Sequence, residues 1–227
     1  MTYVMSDIHG CYDKYVKMLE KIYFSEGDIL YILGDVVDRG QNGMKVLLNI
    51  AEHNNIILLM GNHDQEALLL LSQLYKLIEE EVSDELLEAY QMWLADGGSS
   101  TVSEFLQLGV NEQIKILQEM KKALYYKEIV INDVKYLLAH TVPEKEELKE
   151  IKSCDLEAFL LGEPEYEKQY FEDVIIITGH TPTEYIDKAS KGRIWCGNNH
   201  IAVDCGAVYG NPLGCICLET GEKYYSE

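Results

Sequence analysis

Short runs of apolar, β-favouring residues recur along the chain at positions 3–5, 29–33, 56–60, 136–139, 174–178, 201–203 and 215–218. Short β-rich runs of this kind predict strands. Between them the apolar period changes. Residues 12–23 carry apolar side chains at 15, 16, 18, 19 and 22, and residues 43–53 at 44, 46, 47, 50 and 51. That spacing gives each segment one apolar stripe, so both predict helices and the first half of the chain reads βαβαβ. Residues 65 to about 123 show no convincing strand. They carry helical patterns at 66–80, 84–95 and 112–124, with Gly97-Gly98 as a break, and are expected to form a helical insertion over one edge of the sheet. No repeat, low-complexity run or linker divides the chain, so residues 1–227 are expected to form a single domain.

Composition narrows the class. Of 227 residues, 47% are hydrophobic and 26% charged, which is the balance of a folded globular chain rather than a disordered or fibrous one. The longest apolar stretches, such as 67–71 and 174–177, fall far below the roughly 18 residues of a membrane span. Asp7 comes too early for a secretory signal, so a cytoplasmic location is expected. The formal charge of -20 argues against nucleic acid and anionic membranes as partners, because both bind basic surfaces. Arg39 and Arg193 are the only arginines, so fork-shaped anion contacts must come from them. The cysteines at 11, 154, 196, 205, 215 and 217 form no CxxC pair and read as small buried hydrophobes, with 215 and 217 the weakest candidate for a soft metal. Residues 144–173 hold eleven acids against four lysines, read either as a solvated segment or as an acidic rim facing a substrate.

The residues that follow the strands carry the chemistry. The run at 3–5 leads to Asp7 and His9, the run at 29–33 to Asp35, the run at 56–60 to Asn62 and His63, the run at 136–139 to His140, and the run at 174–178 to His180. In open α/β sheets the carboxyl ends of the strands are where sites form. A mixed set of carboxylate, amide and imidazole donors suits Mn²⁺, Fe or Zn²⁺ better than Ca²⁺ or Mg²⁺. Too many donors are present for one ion, and a carboxylate such as Asp35 can bridge two.

The strings around these residues are D-I-H-G (7–10), G-D-V-V-D-R-G (34–40), G-N-H-D (61–64), His140 and G-H-T-P (179–182), with I-A-V-D-C-G-A-V-Y-G at 201–210. Together they resemble the calcineurin-like metallophosphoesterase family, in the branch of Ser/Thr phosphoprotein phosphatases and symmetrical dinucleoside tetraphosphate hydrolases. The resemblance implies an α/β fold in which a two-sheet sandwich is flanked by helices in four layers, αββα, plus the helical insertion. It implies two divalent transition-metal ions, Mn²⁺ foremost and Fe or Zn²⁺ as the other choices. Asp7 and His9 match ligands of the first, Asp35 the bridge, and Asn62, His140 and His180 ligands of the second. His63 matches the residue that protonates the leaving oxygen, Asp38 the carboxylate that orients it, and Arg39, with Asn62, the contact to the phosphate. The activity implied is hydrolysis of phosphate monoesters, Ser/Thr phosphatase-like, by direct attack of a metal-bridging hydroxide on a phosphoprotein or small phosphate ester. The alternative is a symmetrical bis(5′-nucleosyl)-tetraphosphate hydrolase, and a catalytically silent binding scaffold stands behind both.

Three departures from that pattern matter. His140 is followed by T-V-P-E, residues 141–179 contain no arginine, and Asp96 stands where asparagine is commoner. Phosphate binding is therefore expected to rest on Arg39 and the metals, with Lys145 or Lys152 as substitutes for a second arginine. Asp38 favours the monoesterase reading, because dinucleoside hydrolases of the branch often lack an aspartate there.

Overall fold

The computed structural model describes residues 1–74, 83–148 and 151–227, leaving out the side chain of Lys152. Two five-stranded sheets form the centre. The first has the order β10-β9-β1-β2-β3, from β1 (Thr2–Met5), β2 (Ile29–Ile32), β3 (Ile56–Leu58), β9 (Leu213–Cys217) and β10 (Lys223–Ser226). The second has the order β4-β5-β6-β8-β7, from β4 (Tyr126–Ile131), β5 (Val134–Ala139), β6 (Val174–Thr178), β7 (Trp195–Gly197) and β8 (His200–Ala202). In each sheet three neighbouring strands run parallel, β1-β2-β3 and β5-β6-β8, and antiparallel strands fill the remaining edges.

Period-two alternation along the strands builds the layers. Tyr3, Met5, Leu30 and Ile32 join the cluster beneath the helices, whereas Val4, Tyr31 and Leu33 join a second cluster with Tyr136, Leu138, Ile177 and Val203 of the other sheet. Leu137, Ala139 and Ile176 point the opposite way, into a third cluster with Phe159 and Tyr170. Three cores between four layers give an α/β fold of helix, sheet, sheet, helix, which is the predicted sandwich. Both faces of the central strands are buried, which is why they read as continuous apolar runs.

The helices α1 (Tyr12–Lys21) and α2 (Gly43–Ile50) cover the first sheet. α3 (Asn62–Leu74) starts directly from the loop after β3, and the rest of the helix predicted over 66–80 lies outside the described residues. The insertion continues through α4 (Asp84–Trp93), a π-type turn at Leu94–Gly98, α5 (Ser99–Gln107) and α6 (Val110–Met120). Asp96 and Gly97 depart from helical geometry in that turn, at the predicted break. Rather than covering a strand edge alone, the insertion packs on α2 and α3, with Trp93, Phe105, Ile116 and Met120 entering the first core. Its last residues leave the helix earlier than predicted. Leu124 exchanges backbone hydrogen bonds with Leu58 and Met60 at the edge of β3, an extended pairing that ends α6 before residues 121–124.

Candidate functional site

The carboxyl ends of the parallel strands of both sheets meet at one place. After β1 and β2 the chains are laced together by Asp7 N–H to Gly34 O (3.1 Å), His9 N–H to Asp35 O (2.9 Å) and Gly10 N–H to Val36 O (2.8 Å). The second sheet joins them through His180 N–H, which donates to Asp7 Oδ2 at 2.9 Å, and Gly179 N–H, which donates to His140 O at 2.9 Å. Asp7, His9, Asp35, Asp38, Arg39 and His180 all hold positive φ between 42° and 66°. Side chains with a Cβ rarely adopt that region, and residues held in it cluster where the surrounding structure fixes a functional geometry. Gly61 shows how tight the floor is. A Cβ there would stand 2.2 Å from Asp35 Oδ1, so only glycine lets the β3 loop pass beneath that carboxylate.

Asp35 is the shared element. One group that could hold a cation comprises His9, Asp35 and His63, and a second comprises Asp35, His140 and His180. Asp35 Oδ2 lies 3.5 Å from His9 Nε2 and Asp35 Oδ1 3.6 Å from His140 Nε2, so its two oxygens face the two groups separately. The histidine tautomers follow from their outer contacts. His9 Nδ1 donates to Val37 O (2.8 Å) and His140 Nδ1 to Leu33 O (2.7 Å), which leaves the Nε2 lone pairs pointing inward. Burial lowers the pKa of His9 to about 4 and of His140 to about 3, so both rings are neutral near pH 7. Burial also lowers His180. Asn62 Oδ1 completes the second group, 3.0 Å from His140 Nε2 and 3.1 Å from His180 Nδ1.

Several of these atoms are acceptors aimed at one another, His140 Nε2 and Asn62 Oδ1 among them, an arrangement that a cation between them would favour. Carboxylate repulsion adds to the case. Burial, then the charges of Asp7 and Asp64, push Asp35 well above the usual carboxylate range, and burial with Asp7 does the same to Asp204. The donor set, with nitrogen and oxygen around a two-faced carboxylate, fits a pair of divalent transition-metal ions. Asp7 sits outside the first grouping, next to His180, and His63 sits within it.

The remaining predicted residues surround this centre. His63 is 1% exposed, its Nδ1 donates to Asp38 Oδ2 at 2.8 Å, and its backbone N–H donates to Asp35 Oδ1 at 3.1 Å. Arg39 Nη1 donates to His9 Nε2 at 3.0 Å, and Nη2 lies 3.6 Å from Asp96 Oδ1. Lys145 N–H donates to Glu165 Oε2 at 3.1 Å, within the acidic segment. The side chain of Lys152 lies outside the described residues.

Sequence reasoning missed Asp64 among the residues that build the site. Asp64, fully buried at the start of α3, accepts backbone N–H groups from Val36 (2.9 Å), Val37 (3.3 Å) and Gly61 (3.3 Å). It ties the β2 and β3 loops into one frame. The signal was its place in G-N-H-D, one residue after His63.

The acidic segment has a position as well. A cavity of about 330 Å³ opens beside Asn62 between α3 and α7 (Ala158–Leu161), lined in part by Glu66, Leu69, Glu157 and Leu161. A second, of about 390 Å³, shares Glu157 and Leu161 and adds Glu144, Glu147 and Glu163. Glu157 of the acidic stretch therefore lines the same cavity as Asn62.

A structure of a candidate diadenosine tetraphosphatase superposes with a TM-score of 0.68 at 16% identity, covering 99% of this chain and 91% of that one. A protein serine/threonine phosphatase from Saccharomyces cerevisiae gives 0.62 at 16% identity, covering 100% of this chain and 79% of that one. At such identities both show the fold alone. Among curated relatives, the symmetrical bis(5′-nucleosyl)-tetraphosphatase of Wigglesworthia glossinidia brevipalpis is 40% identical over 89 residues, 38% of this chain and 33% of that protein. Its namesake from Escherichia coli K12 is 35% identical over 97 residues, 38% of this chain and 35% of that protein. These alignments span about a third of the curated relatives' length. The match to calcineurin-like phosphoesterases extends much further, over residues 2–205, and on that match the chain belongs to the calcineurin-like phosphoesterase family.

Proposed function

We propose that this chain hydrolyses symmetrical dinucleoside tetraphosphates at a two-metal centre that shares Asp35. The chain is a phosphoesterase by family, and the family works with two metals. The observation that carries the site assignment is the pair of donor groups meeting at one carboxylate. The substrate class rests on the curated relatives, which favour the dinucleoside hydrolase over the Ser/Thr phosphatase expected first.

In this reading Asp7, His9 and Asp35 hold one ion, and Asn62, His140 and His180 hold the other with Asp35. Mn²⁺ is the first choice, with Fe and Zn²⁺ behind it. Such ions supply Lewis-acid stabilisation of the phosphate and acidify the attacking water. The chain's own residues do the rest. Arg39 turns from His9 to hold two phosphate oxygens with its planar fork, and Asn62 contacts the same phosphate. His63 delivers a proton from Nε2 to the leaving oxygen, held in place through Nδ1 by Asp38. The reading includes a single domain over residues 1–227 and a cytoplasmic location, for which six free cysteines are suited.

A second reading, phosphoprotein hydrolysis, is favoured by the His63–Asp38 pair. A serine alkoxide departs poorly without a proton, whereas the phosphate-bearing leaving group of an anhydride needs less help. The carboxylates lining the two cavities also disfavour a polyanion along that side of the site. Turnover of diadenosine tetraphosphate, a phosphoserine peptide and an aryl phosphate, each with Mn²⁺, separates the readings. The first predicts two molecules of ADP per diadenosine tetraphosphate and the highest kcat/KM on it. The second predicts a higher kcat/KM on the phosphopeptide.

A further inference from the structure

We propose that the helical insertion belongs to the catalytic apparatus, because Trp93 and Thr101 hold the Asp38 carboxylate in the position from which it orients His63. Asp38 is 1% exposed and receives three side-chain donors. His63 Nδ1 and Trp93 Nε1 both donate to Oδ2 at 2.8 Å, and Thr101 Oγ1 donates to Oδ1 at 2.6 Å. Thr101 Oγ1 also accepts from Asp38 N–H at 2.9 Å, so one hydroxyl fixes the backbone and the carboxylate together. That second bond matters because Asp38 holds φ at 66°, where an aspartate needs its surroundings to keep it.

Trp93 is the last residue of α4 and Thr101 lies in the first turn of α5, so the π-type turn between them brings both donors to one carboxylate. Both are buried, at 0% and 1% exposure. The turn itself seats the next residue: Gly97 O accepts Arg39 N–H at 3.0 Å. Gly97 has φ of 111°, and a Cβ there would meet Arg39 N at 2.7 Å. Asp96 in the same turn lies 3.6 Å from both Arg39 Nη2 and His63 Nε2. The insertion thus reaches Asp38, Arg39 and His63 together.

With donors on both oxygens, the Asp38 carboxylate cannot rotate, and the His63 ring keeps Nδ1–H outward and Nε2 toward the reactants. Trp93 and Thr101 do not touch substrate; they act as positioning residues through Asp38. A merely structural tryptophan would need its ring but not its N–H. The inference rests on the reading of His63 as proton donor, and the test keeps the two apart.

The variants are Trp93→Phe, which keeps the ring and removes the donor, Thr101→Val, which keeps the shape and removes the hydroxyl, and Thr101→Ser, which restores it. Two readouts are taken. The first is kcat with Mn²⁺ on a phosphoserine peptide and on an aryl phosphate. Trp93→Phe and Thr101→Val are expected to lose about tenfold on the peptide, the worth of one hydrogen bond to a charged group, and less than about threefold on the aryl ester, with KM unchanged. Thr101→Ser is expected to stay close to wild type. The second is the His63 Nδ1–H resonance in ¹⁵N-edited NMR of metal-free protein, expected to be protected from exchange in wild type and Thr101→Ser and to exchange faster in the other two. Equal losses on both esters, or an unchanged resonance in Thr101→Val, overturn the proposal, and the valine–serine pair decides it even where Trp93→Phe fails to fold. His63→Ala is the control: if it shows no preference between the esters, the proton-donor reading fails, while the resonance still reports whether the insertion holds the ring.

Discussion

His140 Nε2 and Asn62 Oδ1 lie 3.0 Å apart, and neither atom carries a proton to share. The His140 proton is on Nδ1, committed to Leu33 O, and burial keeps the ring neutral. Two acceptors at that distance cost stability until a cation lies between them. Saturating Mn²⁺ is therefore expected to raise the melting temperature, by about 5–10 °C at one hundred times Kd for a chain of this size. Asn62→Leu is expected not to lower the melting temperature of the metal-free protein, and to shrink the gain from Mn²⁺. Scanning calorimetry checks both, and a metal-free Asn62→Leu variant that melts well below wild type would count against the arrangement.

Arg39 is the one arginine placed at the site, and its resting partner, His9 Nε2, is the atom a metal would take. Metal binding should release the guanidinium toward the phosphate. Loss of one preorganised donor costs about 10² to 10³ in turnover in well-studied enzymes, and Arg39→Ala is expected to reach that range. Arg39→Lys should recover little, since an ammonium keeps the charge without the paired geometry. Steady-state kinetics of both variants and of Lys145→Ala test this. A loss below about tenfold in Arg39→Ala, with a larger one in Lys145→Ala, would move the phosphate contact to the acidic segment.

His200 offers a pH test away from the metals. It is 1% exposed, hydrogen-bonded through Nε2 to Thr178 Oγ1 at 2.8 Å and packed 4.8 Å from the Tyr166 ring. Burial lowers its pKa from 6.5 to about 3. The unfolded chain therefore binds a proton below pH 6.5 that the folded chain refuses until about pH 3, so stability falls as pH drops through that window. One such group is worth at most about 1.4 kcal/mol per pH unit. Urea unfolding of metal-free protein between pH 7.5 and 5 should show a shallower decline for His200→Phe than for wild type. Parallel declines would show that His200 does not stay neutral in the fold.

Much of this was legible in the sequence, and the reasons are physical. β1, β2, β3, β5 and β6 are largely buried, so they stand out as apolar runs, and the predicted site residues follow them at the carboxyl ends of the parallel strands. β4 was missed because Tyr126–Ile131 alternates half-buried with exposed positions and carries Lys127 and Glu128. Its hairpin signal was nonetheless present: Asn132 and Asp133 both hold positive φ, as a two-residue turn between β4 and β5 requires. The same holds for β7, joined to β8 by Asn198 and Asn199. Asp64 stands inside G-N-H-D, but its role, like those of Trp93 and Thr101, could not be read from spacing. An acid in a first helical turn and a tryptophan in an amphipathic helix look ordinary until tertiary contacts show what they hold.

Metal stoichiometry with and without the shared carboxylate bears most directly on the two-metal centre. Purified protein saturated with Mn²⁺, freed of excess ion and measured by elemental analysis should carry two ions per chain. Asp35→Asn should lose affinity for both ions together, because its two oxygens face the two donor groups. One ion or none in the wild-type chain at saturation, or an Asp35→Asn variant that weakens one ion and leaves the other at wild-type affinity, would contradict the account.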